Sequence, residues 1–262
     1  MKYLIFLLVP FVFYAQNEGK NDAQNAIIKE YLDDCAHRYN YIIQMKEWQN
    51  CIDEGLKKDS TIAYLWQQKA MPYFKARKYE AGMPYIDKAV RYNAERWQPY
   101  RAFIKCIFAK TYKEAIADFE DCKKKYGNGY VMDHTYDFYM ALSYLQLNEY
   151  QLAEKLLQNY VDDMLAKNGE EWVHFTALFY LGISKYEQNK LEEAIAEFDR
   201  ALKKYPNYSE VKTYKGICLY KLGKKEASEK IMKEAESDYK QGYKMTEDNA
   251  VYETYPYQLR RK

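Results

Sequence analysis

A chain of 262 residues is long enough for one large domain or two small ones, and 48% of it is apolar, which excludes an acidic, disordered polypeptide. Lys and Arg number 40 against 38 Asp and Glu, so the formal charge is +2, which argues against a nucleic-acid binder with a concentrated basic surface. Only 10 Gly and 6 Pro accompany 30% charged residues, a balance suited to long amphipathic helices, and tyrosine is abundant at 30.

Met1 and Lys2 precede an apolar run from Tyr3 to Phe13, followed by Tyr14-Ala15-Gln16 and polar residues up to Asn25. The run is too short to cross a hydrocarbon core of ~30 Å as a helix. The layout is that of a secretory signal peptide over residues 1–15, cut after Ala15, with 16–25 as a polar linker. No cysteine closes the apolar run, which argues against a lipid anchor, and no later stretch is long and apolar enough to span a membrane. The mature protein is therefore expected in the periplasm or outside the cell. An uncleaved anchor, or an apolar first helix on a cytoplasmic scaffold, is the alternative.

From Leu32 onward one pattern returns six times. It begins as Leu32-x2-Cys35-Ala36-x2-Tyr39 with Trp48-x3-Ile52, then Trp66-x2-Lys69-Ala70-x2-Tyr73 with Tyr79, Gly82-x3-Ile86 and Ala89. Tyr100-x2-Phe103-Ile104 with Tyr112 and Ala115-x3-Phe119 follows, then Met140-Ala141-x2-Tyr144 with Tyr150 and Ala153-x3-Leu157. The clearest unit is Leu178-x2-Leu181-Gly182 with Ala194-x3-Phe198, Ala201 and Pro206; the last is Gly216 with Ala227-x3-Ile231. First-helix marks at Ala36, Ala70, Ile104, Ala141, Gly182 and Gly216 are spaced by 34, 34, 37, 41 and 34 residues. Second-helix marks at Trp48, Gly82, Ala115, Ala153, Ala194 and Ala227 keep step with them.

These residues and this period resemble the tetratricopeptide repeat, a helix-turn-helix unit of about 34 residues. The resemblance implies an all-α, right-handed solenoid of about six repeats over residues 26–241. The small residues at the marks are expected to be packing contacts, since a larger side chain would overpack two closely approaching helices. Trp48 suits an atypical terminal repeat, and Ile104 points to an irregular third repeat. Extra residues before Ala194 lengthen helices around Val161–Glu171, broken at Asn168-Gly169. Lys57-Lys58, Lys123–Lys125 and Lys203-Lys204 fall at second-helix ends, and Glu80, Glu114 and Glu192-Glu193 at second-helix starts, where each complements the helix dipole.

Cys35 and Cys51 straddle residue 43, where the alignment puts a turn, so a disulfide is geometrically open there; two buried thiols are the alternative. Cys106 and Cys122 straddle residue 114, away from the turn near Lys110, an offset of roughly 10 Å that is too far to bridge. No catalytic constellation, metal site or cofactor is expected. His37, His134 and His174 lie in different repeats without metal-ligand spacing, and His134 with Asp137 and His174 with Glu171 read as surface patterns. No phosphate loop or nucleophile elbow is present, and Gly127-Asn128-Gly129 is a turn signal.

The resemblance further implies a concave groove lined by first helices, with a protein or peptide segment as partner. Its expected lining is Gln67, Met71 and Phe74, then Arg101, Lys105 and Phe108, then Phe138, Leu142 and Leu145. Phe179, Ile183 and Tyr186 continue it, with Thr213, Ile217 and Tyr220 at the end. The alternative is that these side chains pack between repeats. The Lys and Asn pairs of a carboxylate clamp are absent at most of these places. Residues 242–262 form a tyrosine-rich tail, in which Pro256 is expected to force an extended stretch and Tyr252, Tyr255 and Tyr257 to dock on the repeats, as a cap or as an occupant of the groove. This ending is similar to those of exported repeat proteins of the Bacteroidota. The expected role is a non-catalytic interaction scaffold in the cell envelope. A subunit of outer-membrane assembly or secretion machinery and a binder of glycans or small ligands are the alternatives.

Overall fold

The computed structural model describes residues 21–260, without the Asp248 side chain. The expected signal peptide and cleavage site lie outside the described residues. The protein is all-α apart from one two-residue hairpin among them, and it divides into two compact units, up to Gln98 and from Pro99 onward.

In the first unit a helix described from residue 21 to 28 (α1) continues into a wide π turn, Lys29–Asp33, and a short 3-10 turn, Ala36–Arg38. Then come α2 (Met45–Lys58), α3 (Ala63–Lys75) and α4 (Tyr79–Tyr92). The polar linker expected over 16–25 is corrected by this: residues 21–25 are already helical. Ile27 and Ile28 lay α1 against a core of Leu32, Trp48, Ile52 and Leu65, and Gln24 Nε2 donates to Asp59 at 2.8 Å. The first pair is the atypical one, as Trp48 suggested. Cys35 and Cys51 are joined by a disulfide across it, with Cα atoms 5.8 Å apart. Cys106, Cys122 and Cys218 are free and buried.

Helix α5 (Ala94–Phe103) runs across the division and widens into a π turn, Ile104–Ala109. In the second unit follow α6 (Tyr112–Tyr126), a hairpin of β1 (Tyr130–Val131) and β2 (His134–Thr135), α7 (Tyr136–Gln146) and α8 (Tyr150–Asn168). Next are α9 (Phe175–Glu187), α10 (Leu191–Lys204), α11 (Ser209–Lys221) and α12 (Lys225–Lys240). Helix α8 is the lengthened one. It ends at Gly169, whose φ of +94° is a conformation that glycine adopts without strain, and a 3-10 turn over Glu170–Trp172 follows. The Gly127-Asn128-Gly129 signal leads into the hairpin, which periodicity did not predict because two residues per strand are too few to show alternation.

The turn inside each of the five later pairs has one left-handed residue: Arg77, Lys110, Asn148, Asn189 and Gly223. The following residue donates its N–H five residues back in four of them, as in Lys190 to Lys185 O at 3.0 Å and Lys224 to Leu219 O at 2.9 Å. This closes the helix end with otherwise orphaned carbonyls satisfied. At Thr111 the bond reaches six back, to Lys105 O at 2.9 Å, because the π turn holds one extra residue. That extra residue explains Ile104. Counting back from the left-handed residue with the insertion allowed for, the small buried residue in that register is Ala102.

Gly82 and Gly182 mark the closest approaches. A Cβ at Gly182 would stand 2.4 Å from the Phe198 ring, and one at Gly82 2.6 Å from Phe74. Ala36, Ala70, Ala115, Ala141, Ala153 and Ala194 are all fully buried, and Gly216 is buried too. Ala227 is not: it is exposed, and Ser228 takes the contact, donating Oγ–H to Gly216 O at 2.7 Å. The register of the last pair is thus one residue later than expected, because a hydroxyl that satisfies a helix carbonyl fits the gap as a small residue does.

Two outcomes are expected. Cys35→Ser lowers the stability of the first unit by about 3 kcal/mol, the loop-closure term for a bridge of this span, read as a urea midpoint shift that reducing agent reproduces in the wild type. Gly182→Val destabilises by about 2–3 kcal/mol through overpacking against Phe198, and adding Phe198→Leu recovers part of it in a double-mutant cycle.

Candidate functional site

The first helices of the second unit carry a tyrosine in one register. Tyr139, Tyr180 and Tyr214 each stand two residues before Ala141, Gly182 and Gly216, so they recur at steps of 41 and 34. A position two residues before the packing mark turns about 200° around the helix. It therefore presents these rings on the side away from the paired helix, where Tyr139 packs on Phe103 and Phe119 and Tyr180 and Tyr214 meet the C-terminal tail.

The tail leaves α12 through Gly242 and is tied down along its length. Ser209 N donates to Tyr243 O at 3.2 Å, and Met245 N to Glu210 Oε2 at 3.2 Å. Met245 and Glu247 are buried on either side of the exposed Thr246, as in extended chain, and Asn249 is buried within the 3-10 turn at Asp248–Val251 that follows. The far point is Lys110, whose Nζ donates to Thr254 O at 2.7 Å. The chain then reverses. Gln258 N donates to Tyr255 O at 3.2 Å, with Pro256 and Tyr257 (φ +58°) at the corners. Pro256 thus makes a turn and not the extended stretch expected of it.

On the way back the tail meets the tyrosine register in order. Tyr255 is buried, and burial first, then the nearby Tyr255 hydroxyl, pushes the Tyr139 hydroxyl well above its usual range. Tyr180 Oη donates to Pro256 O at 2.9 Å. The Tyr257 ring meets Tyr214 edge-on at 5.9 Å, and burial together with a hydrogen bond to Glu187 pushes its hydroxyl far up. Tyr252 is half-buried. The tail is thus an occupant of the first-helix face.

Most of the residues expected to line the groove are instead internal. Gln67, Phe74, Phe108, Phe138, Leu142, Leu145, Phe179, Ile183 and Thr213 are buried. Phe74 fills the space at Gly82, and Phe179 packs against Phe198, Tyr208 and Tyr214. Arg101 and Lys105 are engaged within their own pair, both on the Asp118 carboxylate at 2.6 and 2.7 Å. Met71 packs on the first core. Tyr186 and Ile217 are half-buried, Tyr186 lying against Tyr214 with Lys221 over its ring, and Tyr220 is 63% exposed. The expected positions were those flanking the small residues, and in tightly spaced pairs these belong to the packing.

The sequence reading of the histidines is also corrected. His134, on β2, is fully buried, and its Nε2 lies 3.1 Å from both carboxylate oxygens of Glu247 in the tail. His174 caps α9, its Nδ1 accepting from Thr176 N at 3.3 Å, and its ring stands edge-on to His134 at 5.0 Å. Asp137 is likewise no surface residue: it pairs with Lys123 at 2.6 Å and accepts from Asn128 Nδ2 at 3.0 Å. Burial, then the neighbouring His134, pushes the His174 imidazole below its ordinary range. Burial alone would raise the Glu247 carboxyl, but the hydrogen bond and charge of His134 outweigh it and hold it down. One nitrogen of each ring and one oxygen of Glu247 lie within 4.8 Å of one another, so the three form a donor set able to hold a metal ion.

Residues 174–242, which carry α9 to α12, match the family model described as Tetratricopeptide repeat. A comparison with curated proteins finds no match. Among solved structures the chain is similar to a tetratricopeptide repeat protein from Parabacteroides merdae, with a TM-score of 0.63, 11% identity, and 83% of this chain and 80% of that one covered. It is similar to PilW, a widely conserved type IV pilus biogenesis factor, with a TM-score of 0.62, 14% identity, and coverage of 83% and 94%. It is also similar to YrrB, a TPR protein with an unusual peptide-binding site, with a TM-score of 0.53, 16% identity, and coverage of 71% and 91%. At these identities the likeness concerns the fold. The repeated pairs, their turn register and these likenesses agree: residues 174–242 match the tetratricopeptide repeat, and the fold of the chain is similar to that of tetratricopeptide repeat proteins.

Proposed function

We propose that this protein is a non-catalytic protein–protein interaction scaffold of the cell envelope, and that the tyrosine-lined face of its second unit is a receptor for an extended segment. The docked tail carries this reading. Lys110 and Tyr180 hold it by the backbone carbonyls of Thr254 and Pro256. Carbonyl capture reads the path of a chain rather than its side chains, so a segment of another protein fits the same donors. The tethered tail acts at an effective concentration on the order of millimolar, so a partner in trans competes only where it makes contacts that the tail lacks. The peptide-binding site of YrrB, on a related repeat fold, supports the assignment. The signal-like N-terminus and the Cys35–Cys51 bridge support export, since disulfides persist in oxidising compartments. No helix among the described residues is long and apolar enough to cross a membrane.

A labelled peptide of residues 243–260 is expected to bind a chain ending at Gly242, measured by fluorescence anisotropy. Tyr180→Phe should weaken it about five- to tenfold, the loss of one buried hydrogen bond. A folded acceptor that ignores the peptide would overturn the receptor reading. If the shortened chain does not fold, the full chain cleaved at a protease site inserted after Gly242 serves instead. Mass spectrometry of the protein from its native cell should show a mature N-terminus at Gln16; retention of Met1 in a protein recovered from the cytoplasmic fraction would withdraw the envelope assignment.

A further inference from the structure

We propose that His134, His174 and Glu247 form a site for one divalent transition-metal ion of the zinc class, which fastens the tail to the repeats. All three lie in the second unit and come from different elements: β2, the head of α9, and the tail. The donor set is two imidazoles and a carboxylate, which suits zinc and its neighbours rather than calcium or magnesium, both of which take oxygen ligands. Zinc–donor distances of about 2.0–2.2 Å in a tetrahedron put donors roughly 3.3 Å apart. The His134–Glu247 edge is 3.1 Å, and the remaining donors lie within 4.8 Å, so closing the site takes at most about 1.5 Å of side-chain movement.

Both imidazoles bind a metal in the neutral form. The two buried rings share a single carboxylate, so charging both places like charges 5.0 Å apart. Binding through His134 Nε2 puts that ring's proton on Nδ1, which is fully buried and has no hydrogen-bond partner, a cost that the metal bonds must exceed. Metal binding gives up the long bond from Thr176 N to His174 Nδ1. That nitrogen either takes the ion itself or carries the proton that leaves the other one free. Solvent supplies the fourth position. The ion joins residues far apart in the chain, which restricts the undocked tail most strongly. The proposal rests on the reading of the tail as the receptor's occupant only in what the metal controls, because chelation would then release the face.

The test uses the full chain, stripped with chelator and desalted. Zinc is expected to be retained at one ion per chain by elemental mass spectrometry and to raise the melting temperature by about 5–10 °C at a hundredfold excess over its Kd. Cobalt(II) should give the visible bands of a four-coordinate ion. His174→Asn keeps a capping side chain at the head of α9. It should melt near the metal-free wild type while losing both the zinc-induced rise and the cobalt bands, and Glu247→Gln should lose them too. A folded wild type that retains no zinc and gives no bands overturns the site, as does equal retention by His174→Asn. Zinc should also tighten the 243–260 peptide at least tenfold on the shortened chain. Capture that is indifferent to zinc sinks this inference alone. Failure of capture by the folded, shortened chain, with the full chain still binding zinc, sinks the receptor reading alone.

Discussion

The ring of Phe198 occupies the place where a Cβ on residue 182 would stand. Two helices can come that close only if one of them lacks a side chain at the crossing, and that spacing sets the geometry of the pair. The same demand recurs at Gly82 against Phe74, and it is met with alanine at Ala115, Ala141, Ala153 and Ala194. Once the contact is fixed, the turn seven residues later is fixed, and so is the direction in which the residue two places earlier points. Tyr139, Tyr180 and Tyr214 therefore form a row. The surface that holds the tail is a consequence of how tightly each pair closes on its other side.

Charge follows the same frame. Lys185 and Glu197 meet at 2.9 Å across the α9–α10 pair, and Lys212 and Asp238 at 2.6 Å across α11–α12. Arg101 and Lys105 share Asp118 across the pair they belong to. These ions lie mostly out of solvent, where removing one partner is more damaging than the pair is stabilising. Arg101 and Lys105, expected in the groove, are thus used up in pairing between facing helices.

Helix pairs were legible in the sequence because their contacts are local: Gly182 and Phe198 are one hairpin apart, and the spacing repeats. The lengthened α8, the Asn168-Gly169 break and the Cys35–Cys51 bridge were legible for the same reason. The π turn was visible only as an Ile where a small residue was due, since one inserted residue shifts the register without altering the composition. Tyr139, Tyr180 and Tyr214 carried a readable signal, a tyrosine in the repeat register, but attention to the packing marks drew the expected groove onto their neighbours. Glu247 meets His134 across 113 residues, and Thr254 meets Lys110 across 144. No periodicity records such pairs, because nothing local to either residue changes when they meet.

The out-and-back path of the tail has a kinetic meaning. Its anchored end, at Ser209 and Glu210, and its returning end, at Tyr214, both lie at α11, while the bend reaches Lys110. Tension on the chain end therefore loads Tyr257, then Pro256, then Thr254, one contact at a time, and the strand unzips instead of shearing. Under the proposed receptor role, a competing strand would gain a foothold on the vacated tyrosines before the anchored half lets go. Exchange can then proceed by stepwise strand invasion, with no interval in which the whole face lies bare to water.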